Sequence, residues 1–349
     1  MASYILKRLL LMIPTLFGVL LLTFVVIQFV PGGPVEQMVA QLQGNNGGGE
    51  RAGGGGGPGG AGGYRGRQGI DEKQIAEIRK LYGFDKPPTE RFVQMLGQFA
   101  RFDLGESFYQ HKAVWQLVKE KMPVSISLGL WTFFISYLIA VPLGVYSAVR
   151  AGSRSDTVLT AGMFVLYSLP TFFTGTVLLQ LFSQHTPFAW FPTGDFESHP
   201  PPPTTLGHLG DIAWHLVLPV ATSTSVALAA LSRYARAGVI DVIRADYIRT
   251  ARAKGLEEPV VIVKHAVRNG MIPILTLLGG ILPVLVSGSV VIEVVFNIPG
   301  MGQYLVESIT SRDYNAVMAV LLASAVLTLV GILVSDLSYA LVDPRINLD

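Results

Sequence analysis

The chain has 349 residues, of which 50% are hydrophobic and 14% charged, with a formal net charge of +2 and a mean hydropathy of +0.47. That balance excludes an ordinary soluble domain, and so small and dispersed a charge excludes a nucleic-acid partner. Cysteine is absent, which removes disulfide staples and thiolate chemistry.

Counting apolar runs against the roughly 20 residues that cross a hydrocarbon core predicts an all-α integral membrane protein with six spans, near 9–30, 123–149, 158–182, 212–232, 271–296 and 316–341. The first follows Lys7 and Arg8, but it is longer than a signal-peptide core and no A-x-A-like site follows, so an uncleaved helix is expected. Residues 31–122 form a long second segment. Its glycine-rich part, 44–69, is low-complexity and reads as a flexible insertion. The remainder shows helical spacing at Ile75, Ile78 and Leu81 and again at Phe92, Val93, Leu96 and Phe99, which predicts a small helical subdomain. Spans two to six then form a core, 123–342, followed by a short tail, 343–349. Pro14, Pro142, Gly144, Pro170, Gly175, Pro219, Pro283 and Gly288 fall inside the spans; such broken helices suit a transport path.

Residues 183–211 contain no lysine or arginine, whereas residues 233–270 contain eight. The positive-inside rule therefore puts 233–270 in the cytoplasm; Arg150, Arg154, Lys7, Arg8 and Arg345 agree, so both termini are expected inside. The twelve basic residues of 31–122 do not object, because the rule is counted over short loops. Segment 31–122 is thus extracytoplasmic.

Within 233–270 the helical pattern of the fourth span continues to about residue 251, with Val239, Ile240, Val242, Ile243, Tyr247 and Ile248 on one stripe. Gly255 is placed to take a left-handed cap, and acids with Pro259 in "LEEPV" restart a helix. Ala251, Ala253 and Gly255 make a low surface rimmed by Arg249, Arg252 and Lys254. Close approach by another protein and contact with lipid headgroups both fit that surface.

The stretch "DYIRTARAKGL" (246–256) resembles the cytoplasmic EAA-type motif of ABC importer permeases, in the version of the dipeptide and oligopeptide branch. The resemblance covers nearly the whole chain through "GSRSDT" (152–157), "HLVLP" (215–219), "HAVRN" (265–269), "GSVVIEVVFNIPGMG" (288–302), "SRDY" (311–314) and "DPR" (343–345). Within the branch, "SISLGLW", "FAWFPTG" and "SDLSYALVDPRI" are most similar to the Yej-type permeases of microcin C and peptide uptake. Arg249, Thr250 and Ala251 stand where the general motif has Glu-Ala-Ala, and the glycine-rich insertion also departs from the family.

The resemblance implies an ABC type I importer permease fold in a bacterial inner membrane. It implies a second homologous permease, two ATPase subunits and an extracytoplasmic peptide-binding protein as partners. Tyr247, Arg249, Thr250, Ala251, Arg252, Ala253, Lys254, Gly255 and Leu256 become the ATPase-coupling residues. ATP and magnesium belong to the partner ATPases, and this chain holds no cofactor. The region around "NIPGMGQY" resembles the family's outer gate, with Glu293, Phe296, Pro299, Gly300, Arg312 and Asp313 as its candidate residues. Glu293 is expected to pair with Arg312 or to meet water, and Asp336 is an ionisable group inside the sixth span.

A P-loop needs Gly-Lys, and no such pair occurs; no catalytic residues are assigned. His185, His199, His208 and His215 lack close metal-ligand spacing, so no metal site is expected, although nickel and other small-solute permeases remain an alternative. An ion-coupled secondary transporter would need inverted repeats and buried coupling acids, and a membrane enzyme a cluster of reactive groups; neither pattern is visible.

Overall fold

The computed structural model describes residues 2–29, 85–183, 188–271, 274, 277, 285 and 288–342. Among these residues the regular structure is all helical, apart from isolated bridges. Among the described residues four helices are long and apolar enough to cross a membrane, or five if one bent pair is a single span. The glycine-rich stretch, Ile75, Ile78, Leu81, His185, most of the expected fifth span and the tail lie outside the described residues.

Helix α1 is Ala2–Phe29, α2 is Pro88–Phe99 and α3 is Val114–Val149. Helix α2 starts where the sequence allows: Pro87 is extended and Pro88 takes the first turn, where a missing N–H costs nothing. The third expected span is not one straight helix. It is α4 (Arg154–Ser168) and α5 (Thr171–Phe182), bent by 97°. Pro170 causes the break, since the residue before a proline is driven out of the helical region and Leu169 has ψ 126. At 1.5 Å per residue each piece is only about 18–23 Å long, short of the ~30 Å hydrocarbon core.

Helix α6, Thr205–Ile243, has 39 residues and is about 58 Å long, so it overshoots a bilayer. The expected continuation to residue 251 is broken: Arg244 caps α6, Ala245 is extended, and α7 (Asp246–Ala253) begins afresh. Beyond Gly255 the restart is α8 (Glu258–Val260), a π-helix (Val261–Val267) and α9 (Arg268–Gly270). Then come α10 (Val290–Val295), α11 (Met301–Thr310) and α12 (Tyr314–Val342).

The chain divides into two units. In the first, Met1–Pro14, Val118–Val306 and Ala323–Asp349, helix α6 is the spine on which α4, α5, α9 and α10 pack. Its core joins Leu128 of α3, Leu216, Leu218 and Val220 of α6, and Ile292, Phe296 and Ile298. Proximity of α3 to α6 requires glycine: a Cβ at Gly144 would lie 2.5 Å from both the Ser232 carbonyl oxygen and the Ala235 Cβ. The second unit, Thr15–Leu117 and Glu307–Leu322, packs Phe92, Met95, Leu96 and Phe99 of α2 around Leu20, Phe24 and Met318. Val93, expected on that apolar face, is exposed instead; position 92 rather than 93 completes the 92, 95, 96, 99 stripe.

Candidate functional site

The elbow is built from residues 243 to 270. Ile248 and Ala251 on the inner side of α7 join Val261 and Ala266 of the π-helix in a small core, with Val242 and Ile243 packed against it. Ile248, Val261 and Ala266 are fully buried. Ala251, read as part of a low outer surface, is 7% exposed and belongs to this core. Its small side chain lets α7 lie close on the π-helix; the Ala-x-Ala spacing misled because alternate residues of a helix do not share a face.

The outward surface is carried by Tyr247, Arg249, Thr250, Arg252, Ala253, Lys254, Gly255 and Leu256, all exposed. Gly255 turns the chain at φ +78, and a Cβ there would meet no neighbour within 4 Å, so only backbone conformation demands glycine. The elbow is braced from both ends. Asn269 Nδ2 donates to Tyr247 Oη at 2.9 Å, and Arg252 holds Glu258 with two parallel hydrogen bonds of 3.1 and 2.7 Å. The hydrogen bonds from Arg252 hold the Glu258 carboxyl below the usual carboxylate range. Arg249 reaches Asp246 at 3.4 Å, one turn back on the same exposed surface.

Glu293 departs from its expected surroundings. It is fully buried, where exposure to water was one of the two expectations, and groups of its own unit satisfy it. Its Oε1 accepts from Ser125 Oγ at 2.8 Å and Ser289 N at 3.1 Å; its Oε2 accepts from Gly302 N at 2.6 Å and Gln303 N at 3.0 Å. Ser125 Oγ in turn accepts from Met301 N at 2.8 Å. Two side chains from elsewhere in the chain thus satisfy the first three amides of α11, groups that no helix satisfies itself. Gly300 and Gly302 leave room for the carboxylate: Cβ atoms there would sit 2.5 and 3.0 Å from Glu293 Oε2.

The other gate candidates are divided between the two units. Phe296 is 1% exposed in the core of the first unit, Pro299 is half-buried and Gly300 buried beside Glu293. Asn297 Nδ2 donates to Asp195 Oδ1 at 2.8 Å, which ties this turn to the 191–197 loop. In the second unit Asp313 is buried; it accepts from Ser107 Oγ, and its Oδ1 accepts from Ala316 N at 3.2 Å in the first turn of α12. Arg312 is half-buried with φ +54.

Asp336 has a partner inside its span: Arg8 Nη2 lies 2.7 Å away and Tyr4 Oη donates at 2.8 Å. Two of the histidines have partners nearby. His208 Nε2 meets Glu197, and His215 Nδ1 is 2.9 Å from the Asp211 carbonyl, whose side chain accepts from Ser198. Among the described residues no three metal-ligating side chains gather. A further pair, Asp156 with Arg236, was not anticipated as an interaction, although Asp156 lies within "GSRSDT".

Residues 140–348 match the family described as binding-protein-dependent transport system inner membrane component. The chain belongs to this family. Similarity to individual transport permeases extends over its whole length. It is 40% identical to the peptidoglycan transport system permease protein YejB of Agrobacterium fabrum strain C58, covering 100% of this chain and 99% of that one. It is 37% identical to the inner membrane ABC transporter permease protein YejB of Escherichia coli O157:H7, covering both completely, and 34% identical to the oligopeptide transport system permease protein AppB of Bacillus subtilis, covering 99% and 100%. As an inner membrane component of a transport system, the chain has the broken helices and buried polar clusters of a protein that must move solute across lipid. The family match includes α6, the elbow and, of the Glu293 cluster, every member but Ser125.

Proposed function

We propose that this chain is one of two homologous permease subunits of an ATP-driven importer for peptides, oligopeptide or microcin C-like. Six crossings with both termini in the cytoplasm follow from the charge distribution, with the segment around α2 forming an extracytoplasmic helical subdomain. The 2.7 Å contact of Arg8 with Asp336 supports this by bringing the beginning of α1 level with the end of α12. Two ATPase subunits, which carry ATP and magnesium, receive the elbows of the two permeases, and a binding protein delivers peptide to the outer side.

The observation that carries the reading is the preorganised elbow. Tyr247, Ala253, Lys254 and Leu256 face outward from an elbow whose underside is closed by Ile248, Ala251, Val261 and Ala266. A rigid, braced helix is what a groove in another protein can grip. The π-helix beneath it adds a conformation frequent at functional positions. Peptide as cargo is supported by the transport roles in the names of the similar permeases.

Co-expression with the ATPase and second-permease chains tests the docking. Lys254→Ala with Leu256→Ala removes two exposed side chains without touching the small core or either brace, and retention of the ATPase should weaken by about 30-fold, the effect of losing one interface hot spot. Unchanged retention excludes the elbow as the docking element. Because the chain lacks cysteine, single cysteines at Leu256 and His208 report sidedness with an impermeant maleimide: opposite sides are expected. Uptake of labelled peptides of graded length by the reconstituted importer tests the cargo.

A further inference from the structure

The Asp156 carboxylate joins three helices. Asp156 stands in the first turn of α4, beside the N-cap Ser153. Its Oδ1 accepts from Ser147 Oγ in the last turn of α3 and from Arg236 Nε at 2.9 Å; its Oδ2 accepts from Gly152 N and Arg236 Nη2, at 2.9 and 2.8 Å. Arg236 Nε also lies 3.1 Å from Ser147 Oγ. The Asp156 side chain is 6% exposed and that of Arg236 34%. One carboxylate therefore fastens the end of α3, the 150–153 turn, the start of α4 and the last third of α6.

Stability alone is a weak reason for such a pair, because well-packed apolar residues commonly replace buried ion pairs without loss. What a two-pronged guanidinium–carboxylate contact adds is direction: it holds in one relative placement of two helices and fails when one slides or rotates. The surroundings leave no slack. One turn earlier in α3, Gly144 lies against the α6 backbone so closely that a Cβ would overlap Ser232 and Ala235. Arg236 is also close to the elbow: seven residues, about 10 Å of helix, separate it from Ile243, beyond which Arg244 and Ala245 break to α7.

We propose that Asp156 and Arg236 are positioning residues of the coupling apparatus, a clamp that makes the α3–α4 turn travel with the elbow-bearing end of α6. Displacement of the elbow then reaches α4 and the 97° bend into α5, instead of being lost as slippage between helices. The proposal rests on the reading of the elbow as the ATPase-docking element. Neither residue touches the outward surface of the elbow, so the clamp can fail while docking survives.

The test uses the assembled importer, with the second permease and both ATPases, in detergent or nanodiscs. Hydrogen exchange over residues 154–182 is compared with and without ATP plus vanadate, alongside ATP turnover and ATPase retention. In the unaltered complex nucleotide should change exchange across α4 and α5. In Asp156→Asn, and in Arg236→Lys, which keeps the charge but loses the fork, that nucleotide-dependent difference should fall by about tenfold, the scale of one lost directional hydrogen bond, while the ATPase stays bound and active. A merely structural role would lower the yield and leave the difference intact, and that result overturns the clamp. So does an unaltered complex whose bound, active ATPase changes nothing over 154–182. If the ATPase does not bind even the unaltered chain, the docking reading itself has failed and the clamp falls with it. Should Asp156→Asn not accumulate, Arg236→Lys carries the comparison.

Discussion

Glu293→Gln isolates the carboxylate that caps α11. Four donors converge on Glu293: Ser125 Oγ, Ser289 N, Gly302 N and Gln303 N. An ionised carboxylate accepts from all four, but a glutamine offers one oxygen and an NH2 group that only donates. In the better orientation the oxygen stays with Gly302 and Gln303. The NH2 then faces the Ser289 amide and Ser125 Oγ, which already accepts from Met301 N. At least one buried N–H is left without an acceptor and the remaining bonds lose their charge assistance. With about 1–3 kcal/mol for the orphaned group and less for the weakened bonds, the local cost is about 2–4 kcal/mol. At 1.36 kcal/mol per decade that is about a 30- to 900-fold rise in local opening. Hydrogen exchange by mass spectrometry on peptides covering 288–310 measures it directly, with 114–122 as an internal reference. Exchange within about threefold of the unaltered chain, well under the smallest effect that an orphaned buried amide gives, would show that Glu293 does not hold α11.

Three other outcomes follow from single contacts. Gly144→Val forces side-chain atoms against Ser232 and Ala235 and should cost about 1–3 kcal/mol or more through overpacking, read as a lower melting temperature of the detergent-solubilised chain. Ala251→Glu places a charge in the small core beneath the elbow; exchange over 246–267 should rise sharply while membrane insertion is unchanged, and ATPase retention should be lost. For Glu258, whose carboxyl Arg252 holds below its usual value, the folded form binds its proton less readily than the unfolded one. The contribution of the pair is therefore present above the ordinary glutamate range and is lost as pH falls through the depressed value. A carbon-detected titration of labelled Glu258 should show the low midpoint, and Arg252→Gln should return it to the ordinary range.

Long apolar periodicity was legible, because a helix in lipid must satisfy its own backbone and so announces itself over about 20 residues. The breaks were partly legible. Pro170 is visible in the sequence, yet Pro14, Pro142 and Pro219 stand inside continuous helices; whether a proline bends a span by 97° or is absorbed depends on neighbours that a single sequence does not display. The cap at Gly255 was readable from local chemistry, and the face of Ala251 was not, since a spacing of two says nothing about which side of a short helix meets the π-helix.

Acids were hardest to place. Glu293 finds Ser125 across 168 positions of sequence, and Asp156 finds Arg236 across 80. Composition marks such groups only as expensive in a membrane protein. It does not tell whether a partner charge, as for Asp156 and Asp336, or a set of amides, as for Glu293, meets the cost. The distinction has mechanical consequences. A carboxylate fixed by a guanidinium on another helix resists relative motion of those helices, whereas one that gathers the amides of a helix start fixes a turn and lets that helix move with it as a body. By that argument the Asp156 region should transmit displacement, and the Glu293 region should carry it as a rigid element.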